Sequence, residues 1–159
     1  MTRFEGKNVL VTGGSNGIGY ATAARLVKEG ARVAITGRDE ARLNAAVEAL
    51  GVIAIRNDAA EASSEDALAA EVKKQLGHLD AIFLNAGFGQ VAALADVTAE
   101  HFDAQYAVNV RAPLLQAKAL APLLRDGGTI LLNTSVGRDL GMDGLRIRRR
   151  RRIDAAVKR

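Results

Sequence analysis

The stretch "VTGGSNGIG", residues 11–19, sets glycines at 13, 17 and 19 between an apolar run and a segment of helical periodicity. In a strand–turn–helix each of these glycines has a distinct use. Gly13 permits the tight turn, Gly17 lets a pyrophosphate approach the backbone, and Gly19 lets the helix pack closely on the strand. The helix that follows offers unpaired N–H groups and the positive end of its dipole, which suits phosphate. A loop that merely needs positive φ would also collect glycines. The apolar run before the turn and the helix after it favour the nucleotide reading.

Working outward, "KNVLVT" (7–12) reads as a buried strand. "GIGYATAARLVKEG" (17–30) reads as a helix, with an apolar stripe of Ile18, Ala21, Leu26 and Val27 and with Gly30 at its C-cap. "ARVAIT" (31–36), "VIAI" (52–55), "LDAIFLNAG" (79–87) and "GGTILLNTS" (127–135) read as further strands. Between them lie "RDEARLNAAVEAL" (38–50), stopped by Gly51, and "SSEDALAAEVKKQLG" (63–77), with Ser63 or Ser64 as N-cap and Gly77 at its end. A helical stretch from about Thr98 to Leu124 is expected to bend at Pro113. Alternating strands and helices imply βαβ units and a parallel sheet, and near-continuous apolar strands imply helices on both faces. The expectation is an α/β, Rossmann-like doubly wound sheet of strand order 3-2-1-4-5, with the cofactor at the switch point between strands one and four.

The 159 residues suit one domain, and 48% hydrophobic residues suit a globular one. With no cysteine, disulfide and thiolate chemistry are excluded. No metal set is read from the sequence. No apolar run approaches a membrane span and the N-terminus lacks signal-peptide anatomy, so a cytoplasmic protein without membrane partners is the expectation. The net charge of +4 has a local origin. Residues 146–152, "RIRRRRR", hold six arginines and no acid; without them 16 basic side chains face 18 acidic ones, a net −2. A nucleic-acid binder usually spreads positive charge over a face.

The spacing Thr-Gly-x-x-x-Gly-x-Gly, together with "NAG" at 85–87, Asn109 in "AVNVRAP" and Ser135 in "LLNTSVG", resembles the short-chain dehydrogenase/reductase family over about residues 5–145. The resemblance implies a nicotinamide-dependent oxidoreductase acting on an alcohol/carbonyl pair, and a homo-oligomer for the full-length form. Under it, Thr12, Gly13, Gly17, Ile18 and Gly19 hold and shape the pyrophosphate turn, with Ser15 and Asn16 in the same loop. Asp58 faces the adenine ring. Asn85, Ala86 and Gly87 lie along the adenine ribose and steady the central sheet. Asn109 joins the proton relay and Ser135 binds the substrate oxygen. Taken without the family, an Asn in mid-helix reads as a packing residue and a Ser after a strand as a turn former.

Strand two runs into "GRDE". An acid at its end would accept hydrogen bonds from the ribose hydroxyls and reject a 2′-phosphate. Here Gly37 occupies that position and Arg38 follows, a guanidinium with the geometry to hold phosphate. NADP(H) is therefore read in preference to NAD(H). Asp39 is open to two readings, as a ribose acceptor or as the N-cap of the next helix.

The family's general acid/base is a Tyr 13 residues beyond the Ser, aided by a Lys four residues later; those positions are Arg148 and Arg152. A guanidinium does not release its proton in a protein, so it cannot replace the phenol. The chain's two tyrosines, Tyr20 and Tyr106, fall in other helices. The flanks "LLNTSVGRDLGMDGL" and "IDAAVKR" still resemble the family, whereas "RIRRRRR" has neither apolar periodicity nor turn logic. Residues 1–145 thus read as a dinucleotide-binding Rossmann domain lacking the C-terminal part of the fold, and 146–159 as an aberrant tail. A reading-frame slip in a GC-rich gene, across codons for Ser, Ala, Ser and Lys, would produce such Arg-rich text. Two further functions stay open: a non-catalytic dinucleotide-binding module, and a nucleic-acid binder acting through the Arg run. Resequencing codons 144–154 is expected to reveal two compensating frame slips; an uninterrupted, well-supported Arg-coding frame would refute that reading.

Overall fold

The structure is a computed structural model, and it describes residues 2–135. Five strands form one sheet of order β3-β2-β1-β4-β5, with β1 at Asn8–Val11, β2 at Arg32–Gly37, β3 at Ile53–Arg56, β4 at Leu79–Leu84 and β5 at Leu124–Leu132. Every pairing is parallel, as the alternation of elements predicts. Helices α1 (Gly17–Lys28), α2 (Glu40–Leu50) and α3 (Ser64–Leu76) connect the first four strands. Between β4 and β5 come α4 (Ala99–Tyr106), a wider π turn (Ala107–Arg111) and α5 (Ala112–Leu120).

Side chains alternate across each strand, so the sheet sorts its residues into two cores. On one face Leu10, Ala34, Ile55, Ile82 and Leu84 meet Leu68, Val72 and Leu76 of α3 and Leu120 of α5. On the other, Val9, Val11, Val33 and Ile35 meet Ala23 of α1 and Leu43 and Ala46 of α2. Burial on both faces is why the strands read as unbroken apolar runs. Gly51, at the end of α2, and Gly77, at the end of α3, both take positive φ, which their lack of Cβ allows without strain. Among the described residues no helix is long and apolar enough to cross a membrane.

Three sequence expectations need correction. The stripe of α1 is rotated. Gly19 and Ala23 are its buried residues and Leu26 and Val27 are half-buried, whereas Ala21 is exposed and Ile18 is 64% exposed. The backbone contact at Gly19 chooses the face, and Ile18, one position earlier on the helix, turns outward. Second, the long helical stretch breaks before Pro113. Within the π turn the Ala112 amide bonds the Ala107 carbonyl, five residues back. Pro113 then sits in the first turn of α5, where its missing N–H is tolerated. Third, β5 begins at Leu124, paired with Leu79, and ends at Leu132. Gly127, at φ 77°, lies in an irregularity of this pairing, and the strand takes in Arg125 and Asp126, ahead of the "GG" where the sequence reading begins it.

The amino-terminal edge of the sheet is pinned by one carboxylate. Asp80 in β4 accepts the Asn8 backbone amide at 2.9 Å and the Lys7 ammonium at 3.0 Å, and Arg125 of β5 lies 3.3 Å away. Burial pushes the Asp80 carboxyl up, but the Asn8 amide, Lys7 and Arg125 outweigh it and hold the group below the usual carboxylate range. A depressed folded-state pKa contributes stability that is present above the unfolded pKa and lost as pH falls through the folded one. Asp80→Asn should therefore cost about 1–2 kcal/mol at pH 7, and urea denaturation should show the gap to wild type closing below about pH 4. A pH-independent gap would mean that packing, not charge, is what the substitution removes.

Candidate active site

The turn after β1 is built on close backbone contacts. A Cβ on Gly19 would stand 2.2 Å from the Gly13 carbonyl oxygen and 2.6 Å from Asn85 Nδ2. One on Gly13 would stand 2.9 Å from the Ala86 Cα. Gly14, which carries no role in the dinucleotide motif, is equally constrained: its Cβ would fall 2.6 Å from the Ile35 side chain. Gly17 differs, with φ at 54° and nothing within 4 Å of the place a Cβ would take. Its constraint is conformational, and it leaves open space in front of the backbone.

Thr12 joins this turn to the end of β4. Its buried hydroxyl oxygen accepts the backbone amides of Asn85 at 2.9 Å and Ala86 at 3.0 Å. The Asn85 side chain donates back to the carbonyls of Thr12 at 3.1 Å and Gly13 at 3.4 Å. Asn133, just past β5, donates to Asn85 Oδ1 at 2.9 Å. The ends of three strands, β1, β4 and β5, are thus locked through two asparagines and one hydroxyl.

Two clefts open at this carboxyl edge. The first, about 290 Å³, is lined by Gly13, Ser15 and Asn16 of the turn, by Arg38, Asp39 and Arg42 beyond β2, by Asp58 beyond β3, and by Ala86 and Gly87 beyond β4. The second, about 520 Å³, is lined by Asn85, Ala86, Gly87, Phe88, Asn109, Pro113, Asn133 and Ser135. The clefts share Ala86, Gly87 and Phe88 and form one trough across the switch point. Of the residues singled out from sequence, Ser15, Asn16, Arg38 and Asp58 line the first cleft and Asn109 and Ser135 the second. Thr12 lies buried beneath them, and Gly17, Ile18 and Gly19 form the first turn of α1 without lining either cleft. Asn16 is the N-cap of α1 but its side chain makes no capping bond. The first-turn amides of the helix are left to an external acceptor. Asp39 caps α2 by accepting the Arg42 amide at 3.1 Å, as one of its two readings expects, and it lines the cleft as well.

The loop after β4 is held by a polar ladder on the helix opposite. Asn109 accepts the Phe88 amide at 2.9 Å and donates to the Phe88 carbonyl at 2.6 Å. One turn back, Gln105 accepts the Gln90 amide at 3.4 Å, and one turn further His101 Nε2 lies 2.8 Å from the Gln90 carbonyl oxygen. The spacing of four residues puts all three on one face. The main-chain carbonyl of Asn109 would ordinarily bond the amide of residue 113, and a proline there has none to give. Arg111 also reaches from the π turn to the Ala60 carbonyl at 2.6 Å, bracing the loop that carries Asp58. The sequence motifs did not flag Arg42, Asn133, Gln105 or His101. Only the four-residue spacing from His101 to Asn109 hinted at a shared face.

A family model described as short chain dehydrogenase matches residues 7–145. The chain belongs to the short-chain dehydrogenase family. Among curated relatives, glucose 1-dehydrogenase of Gluconobacter oxydans is 39% identical over 143 residues, covering 84% of this chain and 54% of that protein. Among solved structures, a short-chain dehydrogenase from Burkholderia cenocepacia in complex with NADP is 40% identical with a TM-score of 0.83, covering 89% of this chain and 60% of that one. A blue fluorescent protein from a metagenomic library, in complex with NADPH, is 31% identical with a TM-score of 0.80 and is covered over 61% of its length. The chain spans between half and two thirds of the length of these relatives.

Thr12→Val tests the lock beneath the site. It leaves two backbone amides without an acceptor, at a cost of about 2–4 kcal/mol in chemical denaturation. Thr12→Ser keeps the oxygen and should recover most of that. Equal losses in the two variants would show that the methyl group, not the hydroxyl, matters.

Proposed function

We propose that the trough binds a nicotinamide dinucleotide, NADP(H) in preference to NAD(H), and that the whole protein transfers hydride between this cofactor and an alcohol or carbonyl. The observation that carries the reading is Arg38. It lines the cleft just past β2, where an acid would select the unphosphorylated ribose, and it makes no ion pair among the described residues. The open space before Gly17 and the uncapped first turn of α1 fit a pyrophosphate. The NADP and NADPH held by the Burkholderia and metagenomic relatives support the same choice.

In this reading the cofactor supplies the hydride and the chain supplies position. Arg38 takes the 2′-phosphate, Asp58 faces the adenine, and Asn85, Ala86 and Gly87 follow the ribose. Ser135 hydrogen-bonds the substrate oxygen in the second cleft. The amide of Asn109 fixes the loop at Phe88, and its main-chain carbonyl, denied its usual donor by Pro113, serves the proton relay. The exposed row Phe102, Tyr106, Val110 and Leu114, running from α4 through the π turn into α5, supports a homo-oligomer for the full-length form.

This polypeptide is proposed to bind without turnover. Arg148 and Arg152, at the family's Tyr and Lys positions, lie outside the described residues, as does the whole 146–159 tail. Reduction of a carbonyl creates an alkoxide that needs a proton donor, and a guanidinium, which keeps its proton in proteins, is a poor one. Fluorescence titration should show NADPH binding, and a panel of aldehydes and ketones should give no carbonyl-dependent NADPH oxidation. Arg38→Asp should weaken NADPH by roughly 2–4 kcal/mol. Clear turnover by the 159-residue chain would overturn the inactive reading. NADPH affinity unchanged in Arg38→Asp, with NADH improved, would place the 2′-phosphate elsewhere.

A further inference from the structure

The adenosine cleft carries a second guanidinium and a single acid beside it. Arg42, in the first turn of α2, lines the cleft together with Arg38 and Asp39. Its Nε stands 3.4 Å from Asp39 Oδ2, while its backbone amide donates to Asp39 Oδ1 at 3.1 Å. Asp39 is therefore helix cap and counter-ion at once. The side chains of Arg42 and Asp39 are 60% and 45% exposed, so their ion pair is held weakly and exchanges readily. The next acid on α2, Glu40, is paired outward with Arg56 of β3 at 3.3 Å and does not line the cleft. Asp58, the other acid lining the cleft, stands beyond β3 and accepts the Ala60 amide at 2.9 Å, so Asp39 is the carboxylate beside the two guanidiniums.

An acid at this edge of a dinucleotide site ordinarily repels a 2′-phosphate. Here the acid at that edge, Asp39, is occupied by the neighbour that shares its turn. We infer that Arg42 is a second specificity-determining residue, and that the Asp39–Arg42 pair is an exchangeable one that adjusts the cleft to its ligand. A 2′-phosphate draws the Arg42 guanidinium off Asp39 to join Arg38, so the phosphate is held by two cations. With a plain ribose, Arg42 stays on Asp39, and the carboxylate keeps one lone-pair face for the ribose hydroxyls. The inference rests on the dinucleotide reading above and goes beyond it in naming a residue on the helix rather than at the strand end. It also predicts opposite effects for two adjacent charges: losing Arg42 weakens the phosphorylated ligand, and losing the charge of Asp39 strengthens it.

The test uses the 159-residue chain and two probes that differ only in the phosphate, 2′,5′-ADP and 5′-AMP, with affinities from calorimetry. Arg42→Met keeps the aliphatic stem and should weaken 2′,5′-ADP by about 5- to 20-fold, with 5′-AMP changed less than about twofold. Arg42→Lys should recover part of the loss, since it restores charge without the fork. Asp39→Asn keeps an N-cap residue and should tighten 2′,5′-ADP about two- to fivefold by removing the repulsion. Circular dichroism reports whether each variant keeps its helices. Equal weakening of both probes by Arg42→Met would reduce Arg42 to a support for α2 and overturn the inference. So would unchanged 2′,5′-ADP binding in Arg42→Met, or weaker binding in Asp39→Asn. Failure of both probes to bind the unmodified chain would bring down the dinucleotide reading itself, a result separable from failure of the Arg42 variants alone.

Discussion

The carboxyl edge of the sheet depends on how closely α1 lies against the turn that precedes it. The Gly13 carbonyl sits where a side chain on Gly19 would be, and Ala86 sits where one on Gly13 would be. Because those two approaches are so short, the Thr12 hydroxyl reaches the amides at the end of β4, and Asn85 reaches back to the turn. The trough is the space left once these backbones have closed on one another. Any side chain at position 19 would push α1 away, undo the Thr12 and Asn85 bonds, and widen the floor on which both clefts rest. The position of the helix dipole and the rigidity of the strand ends therefore share one steric cause.

The site is electrically lopsided in a way that follows from the strand order. Residues leaving β2 and β3 supply Arg38, Asp39, Arg42 and Asp58 to one end of the trough, while the end formed by β4, β5 and the π turn is lined by amides, hydroxyls and apolar groups. A ligand with charged groups at one end and neutral ones at the other is matched in only one of its two directions. The segregation of charge thus favours one direction, and it leaves the uncharged cleft to the neutral part of a ligand.

Features governed by a local rule were legible in the sequence. The three glycines of the turn, the apolar strands and the Gly stops after α2 and α3 each reflect a constraint on a single position or a short period. Strand order followed because few topologies satisfy alternating βα units. What escaped depended on partners distant in the chain. The π turn exists beside the Asn109–Phe88 pairing, across 21 residues. Asn133 matters because it meets Asn85, and "RDGG" extends as strand because Arg125 is drawn to Asp80. Ile18 joined the apolar stripe of α1 by periodicity, although the close contact at Gly19 turns the helix the other way. Arg42 had no motif to announce it, since its place in the cleft comes from the cap that Asp39 makes.

The central place of β1 has a consequence for how this chain is made. β1 finds β2 within some two dozen residues, but its other neighbour, β4, spans residues 79–84. On a ribosome the first strand must wait, one edge uncovered, while α1, β2, α2, β3 and α3 emerge. At about 5–20 residues per second that interval lasts several seconds. During it the apolar residues Val9, Leu10 and Val11 are half-housed, and Lys7 has no Asp80 to meet. The glycine turn, Thr12 included, stays unlocked for the same period. A nascent chain of this family is therefore most open to capture by chaperones, or to pairing with the wrong strand, until Asn85 is synthesised.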